Sequence, residues 1–203
     1  MQIFVYFSVL IIFAVWLQYE IRKNSRLSRK STKLFWEREK QANLTRKTDI
    51  SDLDYITIPL EKLPMSDHKD ATVNSYRDTI LSISSKKILN LTGLTNTDLK
   101  IKYGASNINL LSEYDNNYTV LVSILQKWGE RLYGLGFSEE AVPVLEYAVT
   151  CLTDVRKTYR LLAEIYMEQN TPEKIDPLLD ALSLTKINRK DLLSKELLRI
   201  KNP

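Results

Sequence analysis

The sequence predicts an all-α chain, an N-terminal transmembrane helix followed by a soluble domain of helical hairpins, and three observations carry that prediction. From Met1 to Tyr19 no side chain is charged, and as a helix rising about 1.5 Å per residue this stretch reaches roughly the hydrocarbon thickness of a bilayer. Beyond it, apolar residues recur at three- and four-residue steps, the period of an amphipathic helix. The 203 residues include only 5 Gly and 6 Pro, too few for a turn-rich β architecture.

The first element is a membrane anchor over residues 1–21. Arg22, Lys23, Arg26, Arg29, Lys30 and Lys33 follow it with no acid among them. Lys and Arg beside a span stay on the cytoplasmic side, so the expected placement is single-pass in the cell membrane, N-terminus outside and C-terminal domain cytoplasmic. Trp16 and Tyr19 stand where an interfacial aromatic belt would lie and, with those cations, form the expected membrane surface. A cleaved signal peptide fits poorly, because no basic n-region precedes the apolar run and the bulky Trp16, Leu17, Gln18 and Tyr19 stand where small residues are needed. The basic run either sets topology alone or also holds anionic headgroups, and in both cases the partner is membrane lipid. Without those cations the formal net charge of +4 becomes slightly negative, so no nucleic-acid partner is expected.

Residues 22–66 read as a basic juxtamembrane segment and linker. Thr32 to Asn43 suits a short helix carrying Leu34, Phe35 and Trp36. Tyr55 to Ile58 is β-prone, but Pro59 lacks a ladder donor, so an extended segment laid against the domain is expected there rather than a strand.

The helical domain is expected over residues 67–203, about 140 residues and enough for one core. Ser66 can cap a helix in which Val73, Tyr76, Ile80 and Ile83 recur at helical steps, with the stripe running on to Ile88 and Leu89. Gly93 breaks that run. Thr95 to Tyr103 reads as a short capped helix stopped by Gly104, and Asn107 to Tyr114 as a connecting loop.

A regularity then appears at a spacing of 34 residues, which superposes Leu125 on Tyr159, Trp128 on Leu162, Gly129 on Ala163, Leu132 on Tyr166, Gly136 on Asn170, Ala141 on Ile175, Leu145 on Leu179 and Ala148 on Leu182. The spacing and the order of large, small and turn positions resemble the tetratricopeptide repeat, a pair of antiparallel helices. Two such units fit residues 117–152 and 153–186. In the first, Asn117 to Leu135 would be one helix, Gly136 its cap, and Ser138 the cap of a second helix over Glu139 to Cys151. In the second, Thr153 would cap a helix from Asp154 to Gln169, Asn170 would take the left-handed cap, and Thr171 with Pro172 and Glu173 would open the next. A C-terminal capping helix, Arg189 to Ile200 after an Asn188 cap, would bring Leu192, Leu193, Leu197 and Ile200 to one side. The sequence departs from the family at Trp128, Leu125 and Ile175 and closes neither unit with proline, which leaves a generic helical-hairpin array open.

One span followed by helical repeats is similar to small single-span repeat proteins of bacterial inner membranes. That resemblance implies an adaptor or tether presenting a concave surface to a protein partner. In such an array Asn117, Lys127, Arg131, Lys157 and Arg160 would face the groove, where they could grip an acidic or C-terminal peptide segment.

Nothing in the chain reads as catalysis, a cofactor site or a metal site. His68, the single histidine, is expected to be solvated at a helix start, so no nucleophile relay can be built. Cys151, the single cysteine, excludes an internal disulfide, fits a reducing compartment and is expected in the core. The expected function is therefore a non-enzymatic, membrane-anchored adaptor, with an anionic-lipid-binding assembly factor as the alternative and an enzyme as the weakest option.

Overall fold

The computed structural model describes the backbone of residues 2–202, and their side chains except those of 2–5, 7–10 and 26–28. Met1 and the Arg26 side chain, both part of the expected membrane segment, lie outside the described residues. Eight α-helices follow in order: α1 Gln2–Asn43, α2 Ala71–Ser84, α3 Asn96–Tyr103, α4 Ile108–Gly134, α5 Ser138–Thr150, α6 Arg156–Glu168, α7 Ile175–Leu184 and α8 Lys190–Lys201. Single 3-10 turns occur at Leu60–Lys62, Ala105–Asn107 and Pro172–Lys174. No strand occurs among the described residues, and the all-α expectation holds.

The transmembrane helix is corrected. Among the described residues no helix is long and apolar enough to cross a membrane. The apolar stretch is not a separate anchor: it is the start of one continuous helix that runs into the basic segment and ends only at Asn43. The topology argument has no described span to act on. The short helix expected at Thr32 to Asn43 is likewise the last part of α1.

The contacts divide the chain into two units. One comprises the chain up to Asp49 together with Thr95–Ile108. In it α3 packs on α1, with Ala42, Leu99 and Tyr103 buried. α3 begins with a capping box in which the Thr95 hydroxyl accepts from the Asp98 N–H and the Asp98 carboxylate accepts from the Thr95 N–H, and Gly104 ends it at φ +87°. That glycine is required twice, since a β-carbon would also come 2.7 Å from Lys47 Cα. Glu39 on α1 binds α3, pairing with the Lys100 ammonium and accepting from Thr97 Oγ1 at 2.7 Å. Lys100 foremost, then Thr97, holds the Glu39 carboxyl below the usual range. Asn107 ties the segment off by donating to the Thr48 and Tyr103 carbonyls, both at 2.7 Å.

The other unit comprises Ile50–Leu94 and Asn109–Pro203, a division that places α3 with α1 rather than among the helices flanking the repeats. Its core draws Val73, Ile80 and Ile83 from α2, the fully buried Leu125, Trp128 and Leu132 from α4, and Leu145, Tyr159, Leu162, Leu178, Leu193 and Leu197 from the later helices. The segment Tyr55–Ile58 forms no strand, and Ile58 is buried in that core.

Several boundaries move. α2 is capped by Asp70, not Ser66, the carboxylate accepting from the Thr72 and Val73 N–H groups, and it ends at Ser84, leaving Ile88 and Leu89 outside the helix. α4 starts at Ile108, so the loop expected at Asn107 to Tyr114 is mostly helical. Ser138 is the first residue of α5 and not its cap. Thr153 sits before α6, where its hydroxyl accepts from the Val155 N–H. Arg189, in the left-handed region at φ +54°, precedes α8 in place of the expected Asn188 cap, and Leu192 is exposed while Leu193 and Leu197 are buried.

Three helix ends share one device. After α4, Gly136 takes φ +84° and the Phe137 N–H returns to the Leu132 carbonyl at 2.9 Å. After α6, Asn170 takes φ +56° and the Thr171 N–H returns to Tyr166 at 2.9 Å. These are Schellman closures, which consume carbonyls left unpaired at a helix end. α5 ends the same way on Leu152, at φ +56°, with the Thr153 N–H on the Ala148 carbonyl. The sequence predicts the first two, but a leucine at the third gives no signal.

Candidate functional site

The five residues expected to grip a peptide do not form a free cationic groove. Arg131 is paired with Asp70 at 2.5 Å, Lys157 with Glu130 at 3.7 Å and Arg160 with Glu196 at 2.5 Å. Asn117 Nδ2 donates to the Lys87 carbonyl at 2.9 Å. Lys127 is exposed and lines a shallow hollow of about 300 Å³ with Tyr76, Glu130 and Arg131. Lys127, Arg131 and Lys157 thus gather around Glu130, whereas Arg160 is committed to α8. Sequence reasoning chose them by helix face and missed the carboxylates supplied by other helices.

A cavity of about 310 Å³ is bounded by α5, α6 and α7, at the lower end of the size of ligand pockets, about 300–1,000 Å³. Its floor is the buried Val149, Leu162 and Leu178, and its rim the exposed Glu146, Lys174 and Pro177. Tyr166 stands between, its hydroxyl donating to Glu146 Oε1 at 2.7 Å while Lys174 Nζ lies 5.3 Å over its ring. Burial first, then the Glu146 carboxylate, pushes the Tyr166 phenol well above its ordinary range, so it is a fixed neutral donor at neutral pH. The cavity offers an apolar seat about the size of a large side chain, with one acceptor and one cation at its lip.

Each side chain is placed by a local feature. Glu146 lies on α5, whose first turn carries Glu139 and Glu140 at the positive end of the helix dipole. Tyr166 lies in the last turn of α6, before the left-handed Asn170, and the 3-10 turn opened by Pro172 presents Lys174. No spacing in the sequence marks Glu146, Tyr166 and Lys174 as neighbours. Only the packing of α5 on α6 brings Glu146 and Tyr166 together.

His68 differs from expectation in being half-buried. Its ring meets Phe137 edge-on at 4.6 Å, its Nδ1 accepts from the Asp70 N–H at 3.0 Å, and its backbone N–H donates to Asn74 Oδ1 at 2.9 Å. It shapes the start of α2. Cys151 is buried as expected, and burial pushes its thiol up to about 11, which keeps it protonated and unreactive at neutral pH. Among the described residues no cluster of His, Cys, Asp and Glu could hold a metal ion.

The fold defines an all-helical protein. No protein-family model, no curated protein and no solved structure matches the chain.

Proposed function

We propose that the larger unit is a non-enzymatic docking module of tetratricopeptide-like hairpins, and that the α5–α6–α7 cavity receives an apolar side chain of a protein partner. The cavity is the observation that carries this reading, since it combines a buried apolar floor with a donor and acceptor pair able to orient a peptide backbone. The 34-residue correspondence supports it. Leu125 and Tyr159, Trp128 and Leu162, and Ala148 and Leu182 match in being buried, and Gly136 and Asn170 match in their left-handed caps. Gly129 plays the part of the repeat's small residue, because a β-carbon there would come 2.5 Å from Leu145 Cγ.

The test places a photoreactive phenylalanine analogue at Lys174 of the full-length protein in cells. A discrete adduct is expected, one that is lost when the same analogue replaces the exposed Glu113 on α4 and is weakened by Pro177→Asp at the rim. Equal adducts from both positions would show that the cavity is not the docking site.

A further inference from the structure

We propose that the N-terminal part of α1 is an interaction surface for an anionic lipid bilayer, with apolar side chains among the acyl chains and a basic stripe on the headgroups. Successive residues of an α-helix are about 100° apart, so Ile11, Ile12, Phe13 and Ala14 point to four different sides of α1. All four are open to solvent, the three large ones at 56%, 68% and 56% exposure. A protein groove covers one side of a helix and leaves the rest wet. Lipid chains cover every side, which is the environment this distribution of apolar surface fits.

The charge that follows is arranged differently. Arg22, Lys23, Arg29, Lys30 and Lys33 are all exposed, and at about 100° per residue they fall within about a third of the helix circumference. Lys23 and Lys33 have weak partners in Glu20 at 3.6 Å and Glu37 at 3.8 Å, while Arg22, Arg29 and Lys30 show no ion pair among the described residues. Trp16 and Tyr19, both exposed, separate the two zones at the level where aromatic rings prefer the lipid–water boundary. A one-sided cationic stripe directly behind an all-round apolar segment is complementary to anionic headgroups over acyl chains. Nucleic acid would use the stripe and leave the apolar segment unexplained.

Flotation of the full chain with vesicles of phosphatidylcholine, with and without phosphatidylglycerol, tests this. Binding to the anionic vesicles is expected to exceed binding to the neutral ones at least tenfold, and to fall when ionic strength rises from about 0.1 to about 1 M, which shortens the screening length from about 10 to about 3 Å. The R22E/R29E/K33E variant is expected to lose at least tenfold in binding to anionic vesicles. A control carrying R156E/K195E/R199E, with the same change of net charge on exposed positions elsewhere, is expected to retain it. Phe13→Glu with Trp16→Glu is expected to abolish binding to both vesicles. Equal loss in the control, equal binding to neutral vesicles, or no flotation of the parent chain would each overturn the proposal. None of these outcomes bears on the α5–α6–α7 cavity, so the two readings fail separately.

Discussion

At the scale of single residues, the positions that matter most are those where backbone geometry leaves one solution. Gly129 is the contact between α4 and α5, facing the fully buried Leu145. Overpacking costs about 1–3 kcal/mol, against a helix-propensity gain of about 1 kcal/mol from glycine to alanine. Gly129→Ala is therefore expected to lower the denaturation midpoint, and Gly129→Val to lower it much further. Leu152 presents the opposite case, a branched side chain held at φ +56°, a conformation that costs about 1–2 kcal/mol in L-residues other than Gly, Asn and Asp. Leu152→Asn, the residue type that fills the same role at Asn170, is expected to raise the midpoint in chemical denaturation. A fall would mean that the half-buried leucine side chain outweighs the strain. The paired arginines carry a lesson for any mutational survey of a groove, since reversing Arg131 or Arg160 strands Asp70 or Glu196 and changes folding and docking together.

At the scale of elements, Asp70 links two helices. Its carboxylate caps α2 and pairs with Arg131 on α4; Arg131 foremost, then the Val73 N–H, lowers its pKa to about 2. Asp70→Ala is expected to accelerate amide exchange in the first turn of α2, with α6 and α8 unchanged. Uniform acceleration across all helices would deny Asp70 this local role. α3 was the most legible element, because a capping box at Thr95 and a stop at Gly104 are both written in consecutive residues. α1 was the least legible. Its apolar beginning looks complete in itself, and nothing in the local pattern announces that the helix continues through the basic run to Asn43.

At the scale of the whole molecule, the titrating groups define a stability window. Asp70, Glu39 and Asp98 have lowered pKa values, so their contribution is full above the unfolded carboxylate range near pH 4 and is lost as pH falls toward the folded values. Cys151, the buried Tyr118, Tyr159 and Tyr166 and the half-buried Tyr147 have raised values. Their ionisation in the unfolded chain favours unfolding as pH rises past the ordinary thiol value of 9.0. The unfolding midpoint is expected to be flat between about pH 5 and 9 and to drop on both sides. A midpoint that keeps rising above pH 9 would contradict the burial of those groups.

The sequence by itself determined the all-helical class and the caps at Thr95, Gly104, Gly136 and Asn170. Each of these is set by residues within a few turns of one another, through hydrogen bonds and periodicity that act locally. Only the tertiary structure decided that α3 belongs with α1, that Arg131, Lys157 and Arg160 are paired with Asp70, Glu130 and Glu196, and that Glu146, Tyr166 and Lys174 converge on one cavity. Those outcomes depend on which helix surfaces meet, and long-range packing leaves no mark in the local spacing of a chain.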